Sequence, residues 1–159
     1  MGDDKKIDSY IDPKLGVLLF AINDLLDFYV DIHDRIFKFS WRQIVPIPGF
    51  FKKIDFKKAA DDLTRIYSEI QKYRSVMDVL NPSLNDYNRK TYFLLIKFSD
   101  ALGDTVSRLS EISIQLWYKV NKPSSYSYEV YDAAYKRYET SIMEYKKIGE
   151  ELNRSCQAS

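Results

Sequence analysis

The chain has 159 residues, 45% of them hydrophobic and 30% charged, with 5 glycines, 5 prolines and a formal net charge of +1. That is one domain's length with enough apolar surface to build a core, and too few chain-breakers for a loop-rich or many-stranded design. A lone cysteine, Cys156, excludes a disulfide framework and a cysteine metal cluster, and its place four residues from the end reads as an exposed tail thiol.

No targeting signal emerges from the amino-terminal part. The apolar run Leu15–Ile22 is preceded by Asp8 and Asp12 and followed by Asp24 and Asp27, and it is far too short to span a bilayer. Gly2 lacks the Ser or Thr that myristoylation expects, since Lys6 stands there. The expected location is cytoplasmic, and residues 1–159 are expected to form a single helical domain.

The first helix opens at Asp12-Pro13, an N-cap followed by proline at the first helical position. Leu15, Leu18, Ile22, Leu25, Tyr29, Ile32, Ile36 and Phe39 then alternate three- and four-residue steps, which holds them on one stripe with the period of a left-handed coiled-coil seam. Leu19, Ala21, Leu26 and Phe28 widen that stripe, so this helix faces more than one neighbour. A long apolar connection over residues 40–55 comes next. Asp55 caps the second helix, whose stripe is Phe56, Ala59, Leu63, Ile66, Ile70, Tyr73, Met77 and Leu80, and Asn81-Pro82 stops it.

The third helix spans about 85–120 with Leu95, Phe98, Leu102, Thr105, Leu109, Ile112 and Leu116 in phase, ending before Asn121-Lys122-Pro123. Gly103-Asp104 is able to break it, but the seam keeps its phase there, so one helix with a kink is expected. Ser127 begins the fourth helix, about 127–153, with Tyr128, Tyr131, Tyr135, Tyr138, Ile142, Tyr145 and Leu152 on the stripe. Helices over about 13–40, 56–80, 85–120 and 127–153 make an all-α, up-down-up-down antiparallel four-helix bundle with left-handed heptad packing.

Five tyrosines on one stripe demand partners, because a buried phenol without a hydrogen bond costs about 1–3 kcal/mol. Either the seam is polar or wet, or the rings lie flat with their hydroxyls at its edge. A flat or hydroxylated small molecule held by Tyr128, Tyr131, Tyr135 and Tyr138 is the functional alternative to ordinary packing.

The chain's one histidine, His33, sits beside the first helix's seam. One histidine cannot supply the two Glu-x-x-His pairs of a carboxylate-bridged di-iron site. Asp24, Asp27, Asp31 and Asp34 form a stripe turned away from the seam and read as a solvated face. The His33-Asp34 step loosely resembles the phospho-acceptor segment of histidine kinase dimerisation domains, which would imply phosphotransfer through His33. The likeness covers three or four residues and lacks the surrounding motif. No Walker loop, nucleophile elbow or His-Glu-x-x-His is present, and Asp61-Asp62 and Glu150-Glu151 read as surface charge. The expectation is therefore no enzyme, no catalytic residue, no metal and no cofactor.

The informative asymmetry is electrostatic. In an up-down bundle the first and third connections share one end, made by residues 34–58 and 117–129. Nine cations lie there, Arg35, Lys38, Arg42, Lys52, Lys53, Lys57, Lys58, Lys119 and Lys122, against Asp34, Asp55 and Glu129, a net of +6 that leaves −5 for the rest. Lys57 and Lys58 stand in a first helical turn, where the helix dipole disfavours cations. Trp41, Phe50 and Phe51 belong to the same end, and the apolar connection is expected to fold over Ile112, Leu116, Trp117 and Val120. The candidate partner-binding set is thus Trp41, Arg42, Phe50, Phe51, Lys52, Lys53, Lys57, Lys58, Lys119 and Lys122. It suits an acidic protein or an anionic membrane surface, and nucleic acid is a poor candidate for a chain of net +1 without a recognition-helix motif. The wide apolar face of the first helix and the run Tyr92–Ile96 leave room for a homodimer.

Overall fold

The computed structural model describes residues 11–42, 54–80 and 84–157. Within them are four long helices: α1 (Pro13–Arg42), α2 (Phe56–Leu80), α3 (Asp86–Asn121) and α4 (Tyr128–Gln157), with a single 3-10 turn at Pro123–Ser125. No strand occurs among the described residues. The helix starts are set by short polar side chains that satisfy the first backbone N–H groups. Asp12 Oδ1 accepts from the Lys14 and Leu15 amides, Asp55 from Lys58, Asn85 from Asn88, and Ser127 Oγ from Val130.

Cross-helix contacts give the direction of each rod. Ser110 Oγ bonds Ala60 O and Tyr92 Oη bonds Met77 O, so α2 and α3 run in opposite senses. Thr91 Oγ1 meets Ser155 Oγ at the start of α3 and the end of α4. Asn88 Oδ1 accepts from the Asp12 amide, which sets the starts of α1 and α3 at one end. The connections 43–55 and 122–127 therefore share the opposite end.

The coiled-coil spacing is realised as core. Leu15, Leu18, Ile22, Tyr29, Ile32 and Ile36 of α1 are buried, as are Leu63, Ile66, Ile70 and Met77 of α2 and Leu95, Phe98, Leu102, Leu109 and Ile112 of α3. α3 is the central rod. It carries the longest run of buried residues, including Ser99, Thr105 and Ser113, whose hydroxyls bond the carbonyls four residues back in their own helix. It passes Gly103-Asp104 without a break, because Gly103 is buried against α2 with Ile70 and Tyr67 beside it.

Helix spacing varies, and the side chains explain why. Small residues on α4 (Ala134, Ser141, Gly149 and Ser155) face α3 and let the two backbones approach closely. This corrects the tyrosine stripe: α4 is rotated so that its buried line is Ala134, Tyr138, Ser141, Tyr145, Leu152 and Ser155. Tyr131, Tyr135 and Ile142 fall on the flank, and Tyr128, at the very start of the helix, is 68% exposed. The α1 and α4 backbones stay farther apart than the other neighbouring pairs, and aromatic rings fill the gap.

Two further expectations are corrected. α1 runs on to Arg42, so the connection is shorter than 40–55, and its residues 43–53 lie outside the described set. α4 continues to Gln157, since nothing in Asn153–Gln157 stops a helix. Cys156 is therefore a half-buried thiol packed against the core, with its pKa raised by burial, and not an exposed tail thiol.

Two of the helical glycines, Gly103 and Gly149, behave differently. A Cβ on Gly103 would meet its nearest neighbours at 3.5–3.7 Å, ordinary contact, whereas one on Gly149 would lie 3.1 Å from Phe98 Cε2. Gly103→Ala should thus stabilise the protein by up to about 1 kcal/mol through helix propensity alone. Gly149→Ala should forfeit most of that gain to crowding of Phe98. Urea unfolding of the two variants checks the ordering, and a Gly103→Ala less stable than wild type contradicts it.

Candidate functional site

The end shared by the connections 43–55 and 122–127 is assembled from the last turns of α1 and α3 and the first turns of α2 and α4. Lys57 and Lys58 are exposed in the opening turn of α2, which contains no acidic residue. Lys119 and Lys122 are exposed at the end of α3 and rest on rings, Lys119 Nζ 5.7 Å from the centre of Tyr126 and Lys122 Nζ 5.5 Å from that of Trp117. Among the described residues none of these four lysines pairs with a carboxylate, while Arg35 at the same end is paired with Asp31 at 2.8 Å.

Trp117 and Tyr118 stand edge to face, and Tyr126 leans on Tyr131, so the lysines sit on a small aromatic shelf. Val120 and Tyr128 are exposed beside it. The structure thus brings Lys57, Lys58, Lys119 and Lys122 to one end. Trp41 and Arg42 belong to the last turn of α1, and Phe50, Phe51, Lys52 and Lys53 lie outside the described residues, as does the expected cover over Ile112 and Trp117.

The α1–α4 seam holds the densest polar chemistry of the interior. The Tyr138 hydroxyl lies 2.6 Å from the Tyr29 hydroxyl and 2.6 Å from His33 Nδ1. A phenol has one hydrogen to give and lone pairs to accept with, so Tyr138 is able to bond both groups at once. Burial pushes the pKa of Tyr29 and Tyr138 well above the usual phenol range, which keeps both neutral. Tyr145 stands edge-on to Tyr29, and Phe37 stacks on Tyr138 and meets His33 at 4.8 Å. The five-tyrosine stripe therefore satisfies its buried hydroxyls internally; none of the buried side-chain polar atoms described lacks a partner. With Tyr131 stacked on Tyr135 and Tyr135 edge-on to Phe37, the seam is filled by its own rings. His33 Nδ1 is engaged by Tyr138.

The acidic stripe of α1 behaves as a solvated face. Asp24, Asp27 and Asp31 are exposed, Asp34 is half-buried, and no cluster able to hold a metal ion occurs among the described residues. Asp61, Glu150 and Glu151 are likewise exposed and Asp62 half-buried.

Sequence reasoning missed a groove between α1 and α2 of about 600 Å³. Leu25, Phe28, Ile32 and Ile66 form its apolar part, and Asp31, Arg35, Asp62, Arg65, Glu69 and Lys72 its charged rim. The signal for it was Phe28, which lies off the heptad seam, but its exposure depends on how closely α2 approaches. No described helix is long and apolar enough to cross a membrane. Comparison with protein-family models, curated proteins and solved structures finds no match to this chain. Its class rests on its own architecture, an all-α four-helix bundle.

Proposed function

We propose that the bundle is a non-enzymatic interaction module that docks an anionic partner, an acidic protein or a membrane surface, through its basic, aromatic end. What supports the reading is one observation: four exposed lysines gather at one end of a chain of net +1, two of them on aromatic rings and none on a described carboxylate. Lysines held this way are available to a partner's anions. Each contributes about 1 kcal/mol near an anionic surface, and the neighbouring rings add apolar contact. The dipole penalty at Lys57 and Lys58 is relieved once an anion docks beside them.

The test compares wild type with the combined Lys57→Glu, Lys58→Glu, Lys119→Glu and Lys122→Glu variant. Co-sedimentation with phosphatidylserine-containing vesicles reads the lipid arm, and capture from the source lysate with mass-spectrometric identification reads the protein arm. The variant should retain its helical circular dichroism and lose capture in one arm, and wild-type capture should fall as salt rises. The same four changes at the exposed Lys90, Lys97, Lys146 and Lys147 control for net charge. Equal capture by wild type and the end variant, or an equal loss in the control, would overturn the reading.

A further inference from the structure

The basic, aromatic end is stepped, and the step bears on what it docks against. Thr91 and Ser155 bond across α3 and α4; Lys119 lies 28 residues on from Thr91 and Ser127 28 residues back from Ser155, so the end of α3 and the start of α4 reach one level. The Ser110–Ala60 bond places the start of α2 lower. Lys119 is nine residues beyond Ser110 and Lys57 only three before Ala60, a difference of six residues, or about 9 Å along the bundle. The tip is therefore made by the rings of Trp117, Tyr118, Tyr126 and Tyr128 and by Val120, with Lys119 and Lys122 among them. Lys57 and Lys58 stand behind it as a collar.

Tip and collar differ in kind from a protein interface. Val120 is 54% and Tyr128 68% exposed, and the Lys119 and Lys122 ammonium groups lie over the faces of Tyr126 and Trp117. Tryptophan and tyrosine, apolar along the ring and polar at one edge, are the residues that settle at a membrane–water boundary. The unpaired cations described at this end are all lysines. Protein interfaces enrich arginine, whose fork fixes a paired geometry, and deplete lysine; here Arg35, Arg65, Arg74, Arg89 and Arg108 are already held by carboxylates. Lysine is a point charge on a flexible stem, suited to a field of headgroups with no fixed partner. Two exposed acids share this end, Asp55 and Glu129. Both stand at helix starts, where the dipole favours negative charge, and Asp55 accepts from the Lys58 amide.

We propose that this end docks on an anionic phospholipid surface tip first, with the long axis of the bundle upright on the membrane. The inference rests on the docking function given above and commits that end to lipid headgroups. The rings and Val120 enter the headgroup layer, and the collar lysines, about 9 Å behind, stay within a Debye length of its charge. An acidic protein surface carries its charge at its outermost level and offers the tip nothing apolar to enter.

Tryptophan fluorescence tests this on the full chain. Its two tryptophans, Trp41 and Trp117, belong to the docking end, so Trp41→Phe leaves Trp117 as the reporter. Phosphatidylcholine vesicles with about 30% phosphatidylserine, the phosphatidylcholine brominated on its acyl chains, should quench Trp117. Asn153 is exposed near the opposite end; Asn153→Trp in a Trp41→Phe, Trp117→Phe background should bind the same vesicles and stay bright. Partition should fall at least about a hundredfold in the Lys57→Glu, Lys58→Glu, Lys119→Glu, Lys122→Glu variant and about tenfold in Val120→Ser with Tyr128→Ser, both with helical circular dichroism intact. Equal binding to pure phosphatidylcholine, quenching of both reporters, or an unquenched Trp117 would each overturn the proposal. Immobilised polyglutamate separates it from the function it rests on. If the vesicles are ignored while polyglutamate retains wild type and not the four-lysine variant, the end docks acidic protein and only the lipid inference falls; if neither is bound, both fall.

Discussion

Tyr138→Phe should destabilise the bundle by about 1–3 kcal/mol, although it removes one oxygen atom and leaves the ring in place. The hydroxyl bridges Tyr29 and His33 Nδ1 in the α1–α4 seam, and its loss removes one partner from each. An unsatisfied buried polar group costs about 1–3 kcal/mol; Tyr145, beside Tyr29, takes up part of that. For a domain of this size the melting temperature should fall by roughly 2–12 °C. Tyr29→Phe strands a single hydroxyl and should cost less. The Tyr29→Phe, Tyr138→Phe double variant should cost less than the two singles together, because it removes both ends of one hydrogen bond. Tyr128→Phe, on an exposed ring, should stay within about 0.5 kcal/mol of wild type. Urea unfolding monitored by circular dichroism measures all four. A Tyr138→Phe variant as stable as wild type would show that the bridging bonds contribute nothing to the fold in solution.

That seam also separates what the sequence makes legible from what it hides. Helix existence, type and starting points were readable because the causes are local. A three-four alternation of Leu and Ile fixes a stripe, and Asp12, Asp55 and Ser127 cap the helices that begin beside them. The rotation of α4 was not readable. Tyrosine is amphipathic and suits a buried face or a flank equally well, while Ala134, Ser141 and Ser155 carry too little apolar surface to announce that they are buried. Which of them faces inward depends on how closely α3 approaches, and that is a property of the assembled bundle. The end of α4 was misjudged for a related reason: Asn153 and Ser155 favour a helix only weakly, and Ser155 is held by Thr91 on another helix.

The candidate sites divide in the same way. The basic end needed only topology, since chain reversals bring Lys57 and Lys58 beside Lys119 and Lys122 wherever their side chains point. The rings under Lys119 and Lys122 needed coordinates, because Tyr126 reaches Lys119 only through the turn at Pro123–Ser125. The α1–α2 groove needed them most. Phe28, Arg35, Arg65 and Lys72 are ordinary residues when read one by one, and their place around a common groove exists only once two helices are set side by side.

The tyrosine bridge also predicts how the protein fails in alkali. In an unfolded chain Tyr29 and Tyr138 would ionise near pH 10; in the fold, burial raises both well beyond that. The folded state therefore keeps protons that the unfolded state gives up. The stabilisation is complete below about pH 10 and is lost as pH rises from there toward the folded values. Each phenol contributes a slope of up to about 1.4 kcal/mol per pH unit, so the pair can remove about 2.7 per unit, and a domain of ordinary stability would unfold within a few units. Phenolate absorbance and helical circular dichroism, recorded together from about pH 8 to about pH 13, should show Tyr29 and Tyr138 ionising only in step with helix loss. The Tyr29→Phe, Tyr138→Phe variant should lose helix over a broader, less steep pH range, because two of the groups driving the transition are gone. If all the tyrosines titrate as one class while the helices persist, neither phenol is buried as described, and the α1–α4 seam is open to water.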